Sequence, residues 1–342
     1  MKKILFGLFF LLAWNCSLQA QTPFYKGKTI TLITGTTAGS LYDTVARLIA
    51  QHWGKHIQGN PGFIVQNMAG AGSMIAANYL YNVAKPDGLT IGSVIPAIYF
   101  NQLAGRKEVK FDWAKFNWIG SVDRFDSLIY MRSDTPFKTI YDVRGASRPP
   151  KCASAGTGTT SHYMPSLLNE TIGTKFDLVL GYPGGPEMDL SVEKNETQCR
   201  AFSLSAWFSG EPYRTWQAKG FVRVLIQTGN RRDERLANVP TLNELMDEFK
   251  TEETGRRLAT VILASGEVGR PYGLPPGIPA ERLKLLRESF IKMVTDTAFI
   301  DDAKMRNLEL GHTTGEALER SAKEVMAQPP EVIERVKSLM GK

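Results

Sequence analysis

One local arrangement occurs in each half of the chain: a short apolar strand, a run of small and hydroxyl-bearing residues, then an amphipathic helix. In the first half, residues 29–34 read as the strand. Gly35-Thr36-Thr37-Ala38-Gly39-Ser40-Leu41-Tyr42 forms the run, and a helix is predicted over 43–53. Val45, Leu48 and Ile49 share one face of that helix while Arg47 and Gln51 point elsewhere. Asp43 stands where a negative charge offsets the positive end of the helix. In the second half, 151–154 is the strand, Ala155-Gly156-Thr157-Gly158-Thr159-Thr160 the loop, and 161–169 the helix. Further strands are expected at 63–66, 90–95, 176–180, 198–203, 222–227 and 260–264, and helices over 73–82, 280–296 and 316–340. Such alternation is the pattern of an α/β protein with largely parallel sheets.

The first twenty residues set the compartment. Lys2 and Lys3 precede an unbroken apolar run from Ile4 to Trp14, and polar residues then lead to Ala20. This is the form of a secretory signal peptide, cleaved near Ala20, which predicts a periplasmic protein. The run is too short for an anchored span, and no later segment approaches the roughly 18 apolar residues that crossing a bilayer requires. Cys16 raises the alternative of a lipid anchor, although Trp14 and Asn15 fit poorly before it. Cys152 and Cys199 would then meet an oxidising compartment, as a disulfide or as two buried thiols. The net charge of +7 falls to +5 without Lys2 and Lys3, and its scatter excludes a nucleic-acid footprint. The remaining length, at 43% hydrophobic content, exceeds one comfortable core and predicts two lobes.

Loops leaving the carboxyl ends of parallel strands are where α/β proteins place ligands, and the free N–H groups at a helix start bind anions. Small residues let a ligand reach the backbone. Two such loops, one per lobe, would hold one anion from both sides; taken singly, each is an ordinary tight turn. A nucleotide site is disfavoured, because 35–40 lacks the lysine of a phosphate-cradling loop and Gly70-Ala71-Gly72 lacks a third glycine. Ser154 has Cys152 where a nucleophile elbow needs glycine. His52 and His56 share a helical face without a cysteine or acidic residue in a metal pattern, so no metal or other cofactor is expected. His162 opens the second helix and is either a site or a packing residue. Tyr99, Tyr182, Trp207 and Phe208 follow strand ends, with Trp207 the foremost candidate for a cleft wall.

In this order the fragments make the chain recognisable. They are Tyr25-Lys26-Gly27-Lys28, Ala38-Gly39-Ser40-Leu41-Tyr42-Asp43, Val65-Gln66-Asn67-Met68-Ala69-Gly70-Ala71-Gly72, Pro86-Asp87-Gly88, Ala153 through His162, Gly181-Tyr182-Pro183-Gly184-Gly185, Val239-Pro240-Thr241 and Pro275-Pro276-Gly277-Ile278-Pro279. The chain resembles the periplasmic substrate-binding receptors of the tripartite tricarboxylate transporter system, also called the Bug family, from Tyr25 nearly to its end. The resemblance implies a two-lobed, type II-like Venus-flytrap periplasmic-binding-protein fold. Two crossings would join lobe 1 (21–122 plus 262–342) and lobe 2 (123–261), with hinges near 122–125 and 260–264. It also implies a monomer that captures a small organic acid, largely through backbone amides and ordered waters, and delivers it to integral membrane transporter subunits. Carried onto this chain, the ligand residues are Thr37, Ala38, Gly39, Ser40, Leu41 and Ser93 from the first lobe. The second would supply Gly156, Thr157, Gly158, Thr159, Thr160, Ser161, Tyr182, Gly184 and Gly185. Two departures bear on ligand identity: Ser40-Leu41 stands where glycines are common, and Met68-Ala69 where an Arg-Pro pair is usual. An exported hydrolase of carboxylate esters and a sensory receptor for the same ligands remain as alternatives. The first would need an activated nucleophile, which adjacent Ser161 and His162 supply poorly because neighbours on a helix point apart.

Overall fold

The computed structural model describes residues 23–156 and 159–340. The expected leader with Cys16 lies outside the described residues, as do Thr157 and Gly158. The strands are β1 (Thr29–Thr34), β2 (Gly62–Asn67), β3 (Thr90–Ser93), β4 (Asn117–Ser121), β5 (Ser127–Arg132), β6 (Lys151–Ala153), β7 (Asp177–Val179), β8 (Cys199–Ser203), β9 (Val222–Gln227), β10 (Pro271–Leu274) and β11 (Thr313–Thr314). The helices are α1 (Leu41–His52), α2 (Met74–Asn82), α3 (Tyr99–Leu103), α4 (Ile140–Arg144), α5 (Thr160–Ile172), α6 (Gly185–Glu193) and α7 (Leu204–Ser209). They continue with α8 (Tyr213–Ala218), α9 (Leu242–Glu248), α10 (Glu253–Val268), α11 (Ala280–Val294), α12 (Thr297–Met305), α13 (Gly315–Met326) and α14 (Pro330–Leu339).

Two sheets result, ordered β11-β4-β10-β3-β1-β2 and β7-β6-β8-β5-β9. The expected α/β class holds, but both sheets are mixed rather than largely parallel. Pairs β1–β2, β1–β3, β6–β7 and β6–β8 are parallel, whereas β10 runs antiparallel to β3 and β4, and β5 antiparallel to β8 and β9. The parallel part of each sheet is its strand–loop–helix unit; the antiparallel part is made by strands adjoining the two crossings. The chain enters the second sheet through residues 122–126 and returns through α9 and α10. The expected strand at 260–264 is corrected: those residues lie inside α10, whose Leu258, Val261 and Ile262 are buried on one face. The expected helix over 316–340 breaks before Pro329, where α13 gives way to α14.

Each sheet is covered on both faces. A central apolar cluster joins Trp113 and Trp118 to Leu258, Val261 and Ile262 of α10 and to Leu167 and Leu168 of α5. Outer clusters lie under α1 and α11 on one side and under α7 and α8 on the other. The crossings press backbone to backbone: Phe125 N–H donates to the Gly266 carbonyl at 3.0 Å, and the Arg270 amide to Asp123 Oδ1 at 2.9 Å. Gly269, at φ +64°, leaves no room for a Cβ against the Asp123 carbonyl. Cys152 and Cys199 are register partners on β6 and β8 and are joined as a disulfide.

Candidate functional site

Because β1 and β3 run parallel, as do β6, β7 and β8, the loops that follow them leave one edge of each sheet. A cavity of about 390 Å³ receives Leu41 from the start of α1 and Thr160 from the start of α5. Its remaining wall comes from the first crossing, 122–125, from Ser203 and Ser205, from Arg270, and from 306–310 after α12. A helix start carries amides without intrahelical acceptors and roughly half a positive charge. The first residues of the two helices, Leu41 and Thr160, thus share one cavity, whereas the expected Thr37, Ala38, Gly39, Ser40, Gly156, Thr159 and Ser161 are not among the residues that line it.

The first loop is built around a carboxylate. Asp43 is only 3% exposed. It accepts from Arg47 Nε at 3.0 Å, from the Gly39 amide at 2.9 Å and from Asn67 Nδ2 at 3.0 Å. The Arg47 guanidinium, helped by the Gly39 amide and Asn67, holds its pKa down at about 2. Ser40 caps α1 through the Asp43 amide, and its hydroxyl meets that of Thr36 at 2.7 Å. Leu41 is 48% exposed at the mouth.

The second loop is built from hydroxyls. Ser161 Oγ accepts from the Ala155 amide at 3.2 Å and meets Thr159 Oγ1 at 2.9 Å, and Thr159 also donates to the Gly156 carbonyl at 2.7 Å. Thr160 Oγ1 pairs with the buried Tyr163 hydroxyl at 3.0 Å. No acidic residue stands in the first turn of α5. At Gly39 (φ +77°) and Gly156 (φ +128°) a Cβ would meet nothing within 4 Å, so each loop faces open space at its left-handed glycine.

Arg270 adjoins the cavity between Tyr42 and Phe125, with its guanidinium carbon 5.2 Å and 5.6 Å from their ring centres, and is ion-paired with the buried Asp123. Burial pushes the guanidinium's pKa down and the Tyr42 phenol's pKa up. Sequence reasoning missed Arg270, Asp123 and the 306–310 segment, since nothing local marks a residue that reaches the site only through a crossing.

The other expected residues fall in several places. Ser93 ends β3, is buried, and stands opposite Tyr272 on β10. Tyr182 and Gly184 lie between β7 and α6, and Gly185 opens α6, on the same sheet edge as Thr160 without lining the cavity. Arg200 Nη1 donates to the Gly185 carbonyl at 3.2 Å and pairs at 2.6 Å with Asp189, which also takes the Tyr130 and Tyr213 hydroxyls. Trp207 is 2% exposed and stacks on Tyr130 with centroids 5.8 Å apart, a core position beside the cavity-lining Ala206. Tyr99 is buried too and donates to the Val261 carbonyl. His162 is buried near α14, away from Thr160's cavity, and burial holds its pKa below the usual histidine value. His52 and His56 pair with Asp302 and Asp296, each at 3.0 Å. Among the described residues no cluster of three His, Cys, Asp or Glu could hold a metal, and no helix is long and apolar enough to cross a membrane.

A second cavity, of about 320 Å³, lies behind the first crossing and is lined by Asp126, Glu267 and Arg256 among others. Burial, with Glu267 nearby, pushes the Asp126 carboxyl up to about 6. Paired acids disfavour an anion there, which leaves the cavity between the helix starts as the candidate site.

Two mixed sheets flanked by helices give a fold that matches those of solved solute-binding proteins. A TctC solute-binding protein from Polaromonas, without ligand, superposes with a TM-score of 0.70 at 21% identity, over 88% of this chain and 96% of that one. R. palustris Rpa4515 with adipate gives 0.59 at 20% identity, over 92% and 97%. Residues 45–260 match the tripartite tricarboxylate transporter family receptor, TctC, and the chain belongs to that family. A UPF0065 protein from the gbd 5' region of Cupriavidus necator is 30% identical over 66% of this chain and 67% of its own length.

Proposed function

We propose that this chain is a periplasmic receptor that closes over a small organic carboxylate between its lobes and hands it to integral membrane subunits of a tripartite tricarboxylate-type transporter. It would act as a monomer, without cofactor and without altering the ligand. One observation carries the reading: the starts of α1 and α5, from opposite sheets, line a single cavity. Adipate in R. palustris Rpa4515 supports the ligand class. On this reading the lobes part near residue 122 and at the end of α10. The second hinge is the glycine-bearing segment 266–270, because the interior of a hydrogen-bonded helix resists the φ/ψ change a hinge requires.

Ligand would favour the closed state, since only there do both helix starts touch it. Ligand-stripped mature protein should gain melting temperature with at least one acid in a thermal-shift screen of di- and tricarboxylates and aromatic acids, because ligand binds only the folded form. A response to sugars, amines or nucleotides with none to any carboxylate would overturn the proposal. Turnover of a bound ester would favour the hydrolase instead.

A further inference from the structure

We infer that Arg124, on the first crossing, pairs with a carboxylate of the ligand and is the residue by which the cavity selects an acid; this rests on the receptor reading above. Of the two small-residue loops and the helix starts after them, only Leu41 and Thr160 line the wall, and neither is charged. Selection by charge therefore falls to the ionisable residues of the wall, which are Asp123, Arg124, Arg270, Arg306 and Glu309. Four of these are matched within the protein. Asp123 and Arg270 pair with each other, Arg306 Nε meets Asp302 Oδ1 at 2.8 Å, and Arg235 Nη1 meets Glu309 Oε1 at 3.2 Å. Arg124 is left over: among the described residues it has no ion-pair partner.

Its surroundings hold the guanidinium without using its outer end. Arg124 Nε donates to Oγ1 of the buried Thr313 on β11 at 2.9 Å. The chain just before Thr313 is tied to the same crossing, where the Gly311 amide donates to the Val122 carbonyl at 3.1 Å. Among the described residues the two terminal nitrogens of Arg124 donate to nothing, and such a pair can take a carboxylate through two parallel hydrogen bonds. Asp126 and Glu267 face Arg124 from the second cavity without coming within ion-pair distance. Burial outweighs its pull on them and pushes both carboxyls up, the reverse of what a direct partner does. Leu41, Val122, Phe125 and Leu308 in the same wall exclude water and strengthen a pairing made there.

Titration calorimetry of the ligand-stripped mature protein with benzoate, adipate and citrate tests the assignment. The acid that wild type binds best should bind Arg124→Gln about 10- to 100-fold more weakly, the fold-change for losing charge-assisted hydrogen bonds. Arg124→Lys keeps the charge without the fork and should fall between the two. Added sodium chloride should weaken binding by wild type and leave that of Arg124→Gln nearly unchanged, a difference that loss of structure alone would not produce. Arg124→Gln binding the acid as tightly as wild type, or keeping the wild type's salt dependence, would overturn the inference and leave the carboxylate receptor standing. No heat from wild type with any of the three acids would overturn both.

Discussion

The two helix starts that share the cavity look alike in sequence and differ in charge. Around α1 the positive end is answered from within, by Asp43 tied to Gly39, Arg47 and Asn67. Around α5 only hydroxyls gather, and the first turn carries no acid. Matching loops therefore do not imply matching roles. The α5 start carries no acid of its own, while α1 presents Leu41 and a loop locked in place by its own ion pair.

The largest expected effect comes from the paired glycines. Gly39 and Gly156 both have positive φ with open space where a Cβ would go. Gly39→Val and Gly156→Val should therefore cost similar stability, roughly 1 to 3 kcal/mol each. Binding should separate them: Gly156→Val weakens the best acid from the screen by more than roughly 30-fold, through lost charge-assisted hydrogen bonds, and Gly39→Val by only a few-fold. The reverse order in calorimetry would break the comparison.

Asp43→Asn comes next. Losing the helix-start charge and its hydrogen bonds should cost about 1 to 2 kcal/mol at neutral pH, while anion affinity rises slightly. The acid limb gives the sign. A carboxyl depressed to about 2 contributes stability that is present above its unfolded value near 3.8 and is lost as pH falls through about 2. The wild type should lose its advantage over the variant across that window in urea titrations. A constant difference from pH 2 to pH 7 would show that Asp43 does not act through its charge.

The smallest effect lies in the second cavity, where Asp126 shows the opposite environment. Its carboxyl is raised to about 6, so its contribution favours the fold below about 4 and is lost as pH rises through 6. Asp126→Asn should melt a few degrees higher than wild type at pH 7 and no higher at pH 4. Equal melting at both values would remove the contrast between the cavities.

Much of this arrangement was legible because it is local. The boundaries of β1 and β9 match the expected strands, and α1 and α5 begin within two residues of where their loops end. Trp207 misled for a physical reason: an aromatic ring after a strand gains more by stacking on Tyr130, Phe202 and Tyr213 than by facing water. The run at 260–264 is apolar over too few residues to tell a buried helix from a strand. β5 escaped notice because every one of its six residues is buried, leaving no alternation to read.

By itself the sequence determined the α/β class and the place of the two strand–loop–helix units, which rest on short-range spacing of apolar, small and hydroxyl residues, and the family, which rests on the order of many short fragments along the chain. Only the tertiary structure decided that Leu41 and Thr160 share a cavity, that Arg270 arrives beside it, and that its charge is spent on Asp123. Those outcomes depend on how two crossings, some 145 residues apart in the chain, pack at Gly266 and Gly269 against 123–125. Long-range contacts of that kind leave no periodic trace in a single sequence.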